Sequence, residues 1–136
     1  MHFVDTNVLL YAVSPVPEEA AKRQRATDLL ATTADLCLSV QVLQEFYSQV
    51  TGSKGLWGMS HEEAERSVRS LERFRVQPVT LQVLHAAMTL RERFQINYWD
   101  AAILAAARVA GCDTVYTEDL NDGQDYDGVR VVDPFA

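Results

Sequence analysis

Phe3-Val4-Asp5-Thr6-Asn7-Val8-Leu9, near the amino terminus, is the stretch on which the reading of the chain turns. With His2 before it, Phe3-Val4 makes a short apolar strand that ends in the polar run Asp5-Thr6-Asn7. Val8-Leu9-Leu10-Tyr11-Ala12 follows as a first helical turn, and Pro15 and Pro17 then break the chain. The alternation continues. From Glu18 to Thr32, Ala21, Ala26, Leu29 and Leu30 supply an apolar stripe among charged residues, which predicts an amphipathic helix. Leu36 to Val40 reads as a strand, and Ser39 to Thr51 as a helix with Val42, Leu43, Phe46, Tyr47 and Val50 on one face.

Gly52 to Gly58 reads as a loop, after which Ser60 and Glu63 form a capping-box pair that starts a helix running to about Phe74. Val76 to Val79 is a short strand. Thr80 caps the next helix, which carries Val83, Leu84, Ala87, Met88, Leu90 and Phe94. Asn97 opens Tyr98 to Ala110, apolar almost all round and so central, and Gly111 ends it. Thr114 to Thr117 and Val129 to Val132 are the last two strands. Short apolar strands separated by helices imply an α/β fold: a parallel sheet between two helical layers, because a parallel connection needs a crossover.

The 136 residues fit a single domain, 1–136, with no internal repeat and no Pro/Gly linker, and the hydrophobic share of 48% is that of a folding chain. The opening residues lack a secretory signal, and the longest apolar run, Ala101 to Ala107, is too short for a membrane span. A soluble cytoplasmic protein with no membrane contact is the expectation. Cys37 and Cys112 suit buried thiols, and His2, His61 and His85 are scattered without ligand spacing. The balance of 12 basic against 19 acidic side chains, net −7, argues at first sight against a nucleic-acid partner. Carboxylates that hold divalent cations would reverse that inference.

In open α/β sheets, ligands gather beyond the carboxyl ends of the strands. Asp5 ends the first strand and Asp119 follows Val115-Tyr116-Thr117, so both belong to that edge. Asp100 sits in the first turn of the apolar helix, and Glu45 lies on the helix entered from the Leu36 strand. Oxygen donors without histidine or cysteine describe a hard-cation site of the Mg²⁺ or Mn²⁺ type. Each acid has a plainer explanation: Asp5 as a helix cap, Asp100 as a first-turn acid, Glu45 as a solvated side chain, Asp119 as one of several loop acids.

Taken together, Phe3 to Leu9, Glu45, Tyr98-Trp99-Asp100-Ala101 and Thr117-Glu118-Asp119-Leu120 resemble the PIN domain over nearly the whole chain. The closing Val131-Val132-Asp133-Pro134-Phe135 is similar to the VapC group of bacterial toxins. The resemblance implies a PIN-like three-layer α/β/α sandwich and a Mg²⁺-dependent endoribonuclease, with Mn²⁺ as substitute, that hydrolyses RNA by metal-activated water. It also implies a cognate antitoxin that blocks the acidic pocket, and a homodimer. Asp5, Glu45, Asp100 and Asp119 would be the catalytic and metal-holding residues, with Thr6 and Thr117 in support; Glu118 and Asp122 compete with Asp119. Lys54 and Trp57 could meet RNA, although a Trp that anchors its loop is the plainer account, and Arg66, Arg69 and Arg73 alternate with acids on a solvated face.

Three other readings stand beside this one. An aspartyl-phosphate phosphatase would carry a second acid where Asn7 stands, and a phospho-receiver or Mg²⁺-binding regulatory module would want a lysine near a late strand, whereas the only lysines are Lys22 and Lys54. A catalytically silent PIN-like binding module is the third.

Overall fold

Six short strands and six helices alternate in the computed structural model, which describes residues 1–52 and 57–136. In chain order they are β1 (His2–Val4), α1 (Thr6–Ala12), α2 (Ala20–Thr32), β2 (Leu36–Ser39), α3 (Val40–Thr51), α4 (His61–Leu71), β3 (Arg75–Gln77), α5 (Leu81–Phe94), α6 (Tyr98–Val109), β4 (Thr114–Tyr116), β5 (Asp125–Tyr126) and β6 (Val129–Val132). The sheet order is β3-β2-β1-β4-β6-β5. The chain steps outward from β1 to β2 to β3, then returns across the sheet to β4. Parallel crossovers are right-handed, so reversing the direction of travel puts α5 and α6 on the face opposite α1 to α4. The contacts follow that division: α1 packs on α2 and α3, α3 on α4, and α5 on α6. The result is the expected sheet between two helical layers, with its topological switch between β1 and β4.

Caps foreseen in the sequence are present. Ser60 and Glu63 form the reciprocal capping box at α4, Thr80 Oγ1 accepts from Val83 N at 3.1 Å, and Asn97 Oδ1 accepts from Trp99 N at 2.8 Å. Gly111, at φ +85°, provides the left-handed residue that ends α6. Some boundaries differ from expectation. A 3₁₀ turn at Pro17–Glu19 precedes α2, because Pro17 supplies a fixed φ but no N–H. The α4 helix stops at Leu71 and unwinds through three-residue turns, with Arg73 N bonded to Ser70 O and Phe74 N to Leu71 O.

The sheet is also not wholly parallel. Asp125–Tyr126 pairs antiparallel with β6, joined through Asp127 and Gly128 at φ +54° and +96°. That Asp-Gly pair is a hairpin signal in its own right. Tyr126 is buried by the pairing and meets Phe94 edge-on at 5.0 Å.

The core lies on both sheet faces. Phe3, Val4, Leu38, Val115 and Val131 are fully buried, each worth about 1.5–3 kcal/mol against exposure. Cys37 and Cys112 are buried free thiols, as expected. Among the described residues no helix is long and apolar enough to cross a membrane. Helix α6 buries every residue from Ala101 to Ala107, and five of those seven are alanine, so its backbone lies close against both sheet and α5. Ala105→Leu should therefore overpack this layer and lower stability by about 1–3 kcal/mol, read as an earlier urea midpoint with unchanged m-value. An unshifted midpoint would mean that the layer has slack.

Candidate active site

Asp5 leaves β1 at the switch point and immediately caps α1, its Oδ1 accepting from Thr6 N at 2.7 Å. Its Oδ2 accepts from Thr117 Oγ1 at 2.9 Å, across from the end of β4. Thr117 is fully buried and uses its whole hydroxyl: it donates to Asp5 and accepts from Asn7 Nδ2 at 2.9 Å and Asp119 N at 3.1 Å. Asn7 Nδ2 also donates to Asp119 Oδ2 at 3.1 Å. A closed set of hydrogen bonds thus joins the strand-end acid of β1 to the acid beyond β4.

Glu45, on α3, joins the set from the other side. Thr6 Oγ1 donates to its Oε1 at 3.4 Å and Gln41 Nε2 at 3.2 Å, while Gln41 Nε2 also reaches Trp99 O at 3.3 Å. Asp100 follows Trp99 in the first turn of α6 and lies within electrostatic reach of Asp119.

The four acids sit in different environments. Asp5 is only 5% exposed, and burial pushes its carboxyl up to about 7; the bonds from Thr6 and Thr117 pull the other way, and the charges of Asp119 and Glu45 raise it further. Partial burial, then the charge of Asp119, raises Asp100. Glu45 and Asp119 are exposed. Among the described residues no Lys, Arg or His forms an ion pair with any of the four.

The competitors for the last place are occupied elsewhere. Glu118 accepts from Tyr11 Oη at 2.6 Å and pairs with Lys22 at 3.2 Å, and Asp122 Oδ1 accepts from Asp133 N at 2.9 Å. Trp57 is half-buried and donates to Leu10 O at 3.2 Å, in keeping with an anchor; Lys54 lies outside the described residues. Arg69 pairs with Glu65, and Arg73 bonds Ser70 and covers Phe74, so both belong to a solvated face. The sequence pattern alone assigns Asn7 and Gln41 no role, although it holds the signals: an amide two residues past the strand-end acid, and an amide one helical turn before Glu45.

The donors suit a hard divalent cation. All are oxygens, their charge is uncompensated, and Asn7 Oδ1 is a further buried acceptor without a partner among the described residues. Among the described residues no three His, Cys, Asp or Glu side chains form a ready-made cage, so the fit rests on donor chemistry and charge.

The PIN domain family model matches residues 2–124 of the chain. The chain belongs to the PIN domain family. Comparison with curated proteins gives no match. Among solved structures, this PIN domain is similar to FitAcB from Neisseria gonorrhoeae, with a TM-score of 0.74, 24% identity and 99% of each chain covered. It is also similar to a toxin-antitoxin complex from Klebsiella pneumoniae, with a TM-score of 0.69, 20% identity and 98% of each chain covered. VapC20 from Mycobacterium tuberculosis, described as a Sarcin-Ricin loop cleaving toxin, gives 0.67 at 21% identity, covering 88% of this chain and 90% of that one. At these identities the likeness establishes the fold.

Ionising Asp5 opposes folding when no cation is present. Its folded pKa of about 7 stands above the ordinary 3.8, so its contribution is fully favourable below about pH 4 and is lost as pH rises through 7. Asp5→Asn should therefore raise the Tm by a few degrees in chelator at pH 8 and give no gain at pH 4, by thermal denaturation monitored with circular dichroism. A gain of equal size at both pH values would remove ionisation as its cause.

Proposed function

We propose that this PIN domain is a Mg²⁺-dependent endoribonuclease and the toxin of a toxin–antitoxin pair. The observation that carries the reading is the Asp5 carboxylate, buried at the switch point of the sheet without an ion-pair partner among the described residues, with the charges of Asp119 and Glu45 acting on it and Asp100 within electrostatic reach of Asp119. A phosphodiester would be repelled by these acids alone; a bound Mg²⁺ or Mn²⁺ supplies the positive charge that attracts and polarises phosphate and eases deprotonation of water.

The chain's own residues do the rest. Thr6 N and Thr117 Oγ1 fix both oxygens of Asp5, so this ligand is held before any ion arrives. Asn7 holds Asp119 against the same hydroxyl, and Gln41 with Thr6 steadies Glu45. Asp100, in the first turn of α6, lies within electrostatic reach of Asp119. Asp5 and Asp100 are the direct ligands in this reading, with Glu45 and Asp119 completing the set directly or through water. Cleavage leaves a 5′-phosphate and a 3′-hydroxyl, with no part for the 2′-OH.

Support for the partner comes from the neighbours, one of them a toxin-antitoxin complex, and from a groove of about 420 Å³ among the early helices. Leu9, Ala12, Leu30, Phe46 and Leu71 line it, with Arg66 and Glu63 at its polar side. An antitoxin segment with apolar side chains fits that lining, and a basic side chain at its end would neutralise the acids. The homodimer and the cytoplasmic setting belong to the same reading, as does a single domain over 1–136.

The purified chain, freed of any partner, should cut RNA in Mg²⁺ or Mn²⁺ and stop in chelator, with end mapping showing 5′-phosphates. Asp100→Asn should lower the rate by on the order of 100-fold or more while leaving the fold intact. Metal-independent cutting, or full activity in Asp100→Asn, would overturn the assignment. Absence of cutting on every RNA offered would favour a silent binding module.

A further inference from the structure

The acidic edge continues into a groove that the four carboxylates do not fill. At its lip stands Trp99, with 63% of its surface exposed. An exposed indole is costly for a chain that could have buried it. Its backbone is held at both ends: Asn97 Oδ1 accepts from the Trp99 peptide N–H at 2.8 Å and the Trp99 carbonyl accepts from Gln41 Nε2 at 3.3 Å, while the Tyr98 ring meets the indole edge-on at 5.0 Å. The groove measures about 690 Å³ and is lined by Trp99, Tyr98, Gln41, Gln44, Pro78 and Leu84 among others.

Two features narrow its occupant. The lining joins flat apolar surface to side-chain amides and hydroxyls, including Ser39 and Thr80, and holds no Lys or Arg. Such a surface takes a base in preference to a phosphate. The groove is also wired to the acids: the Gln41 amide that holds the Trp99 carbonyl bonds Glu45, and Asp100 is the next residue. Gln44 makes no side-chain hydrogen bond among the described residues, so its amide is free to read an edge.

We propose that this groove seats one unpaired base of the RNA strand being cut, stacked on the Trp99 indole with the amide of Gln44 at its edge. The proposal rests on the ribonuclease reading above. A base within a duplex has both faces covered, so the groove selects single-stranded segments. Stacking is tolerant of base identity, and the Gln44 amide adds the preference.

The test is steady-state cleavage of a short single-stranded oligoribonucleotide by the wild type, Trp99→Ala and Trp99→Phe. Trp99→Ala should raise KM by on the order of tenfold with kcat little changed, and Trp99→Phe should recover most of the loss. Replacing the stacked nucleotide by an abasic one, found by scanning the oligonucleotide, should abolish the difference between wild type and Trp99→Ala. An unchanged KM in folded Trp99→Ala overturns the proposal. So does sedimentation showing that Trp99→Ala splits a self-associated species while KM holds, since the face then belongs to a second copy of the chain.

Asp5→Asn, assayed alongside, separates the two levels: activity lost there with KM untouched by Trp99→Ala leaves the nuclease and removes the base site. If the wild type cuts no RNA, Trp99 fluorescence in a Trp57→Phe background reads binding of homopolymeric oligoribonucleotides in Mg²⁺ directly. Quenching supports the groove, and its absence overturns it.

Discussion

A carboxylate taken out of water needs either a cation or a proton, and among the described residues no cationic side chain pairs with Asp5. The peptide N–H of Thr6 and the hydroxyl of Thr117 occupy its two oxygens, yet neutral donors only partly replace the water that burial removed. The remaining cost raises its pKa to about 7. Everything around it follows from holding that group in place. Strand β1 must end where the sheet reverses, β4 must lie beside it, and Thr117 must be the first residue past β4. Helix capping and a place in the acidic set are therefore not rival explanations of Asp5: one carboxylate does both, because the cap is what orients it.

Hydrogen bonds sort the acids beyond β4, where the chain bends: Asp119 N donates to Thr117 Oγ1 and Asp119 Oδ2 accepts from Asn7 Nδ2, whereas Glu118 turns elsewhere. Glu118 meets Lys22 and Tyr11, with the Lys22 ammonium 4.7 Å from the Tyr11 ring centre. Lys22 is thereby held away from the pocket, and among the described residues no basic side chain pairs with its acids. Exposure grades the four as well, from buried Asp5 through half-buried Asp100 to exposed Glu45 and Asp119. Under the proposed function, a carboxylate held rigidly on the sheet with freer ones around it would accommodate an ion without moving the fold.

Most of this was legible in the sequence because strong local signals agreed with one another. The strand–Asp–helix opening, the capping box at Ser60 and the alanine-rich helix each specify their own element through hydrogen bonding or burial. What escaped was set by tertiary distance or brevity. Strand β5 has two residues, too few for any periodicity to register, although Asp127-Gly128 marked its turn. Asn7 and Gln41 looked like ordinary polar helix residues. Their roles appear only when β4 and α6, more than fifty positions on, come alongside. The choice among Glu118, Asp119 and Asp122 likewise depended on partners that no local pattern names.

The net charge of −7 counts every acid as ionised, yet burial pushes the Asp5 carboxyl up to about 7, which favours its protonated form when no cation is near. Protonation is thus one way for the pocket to relieve its own repulsion, and binding a divalent cation is the other. The two compete for the same oxygens, so the affinity for the ion rises with pH across the range in which Asp5 ionises. Under the proposed function, the acidic balance that first argued against a nucleic-acid partner becomes a condition on it: a polyanion would approach this edge once an ion had reversed the local field. Placement of the acids, rather than their number, decides what the charge means.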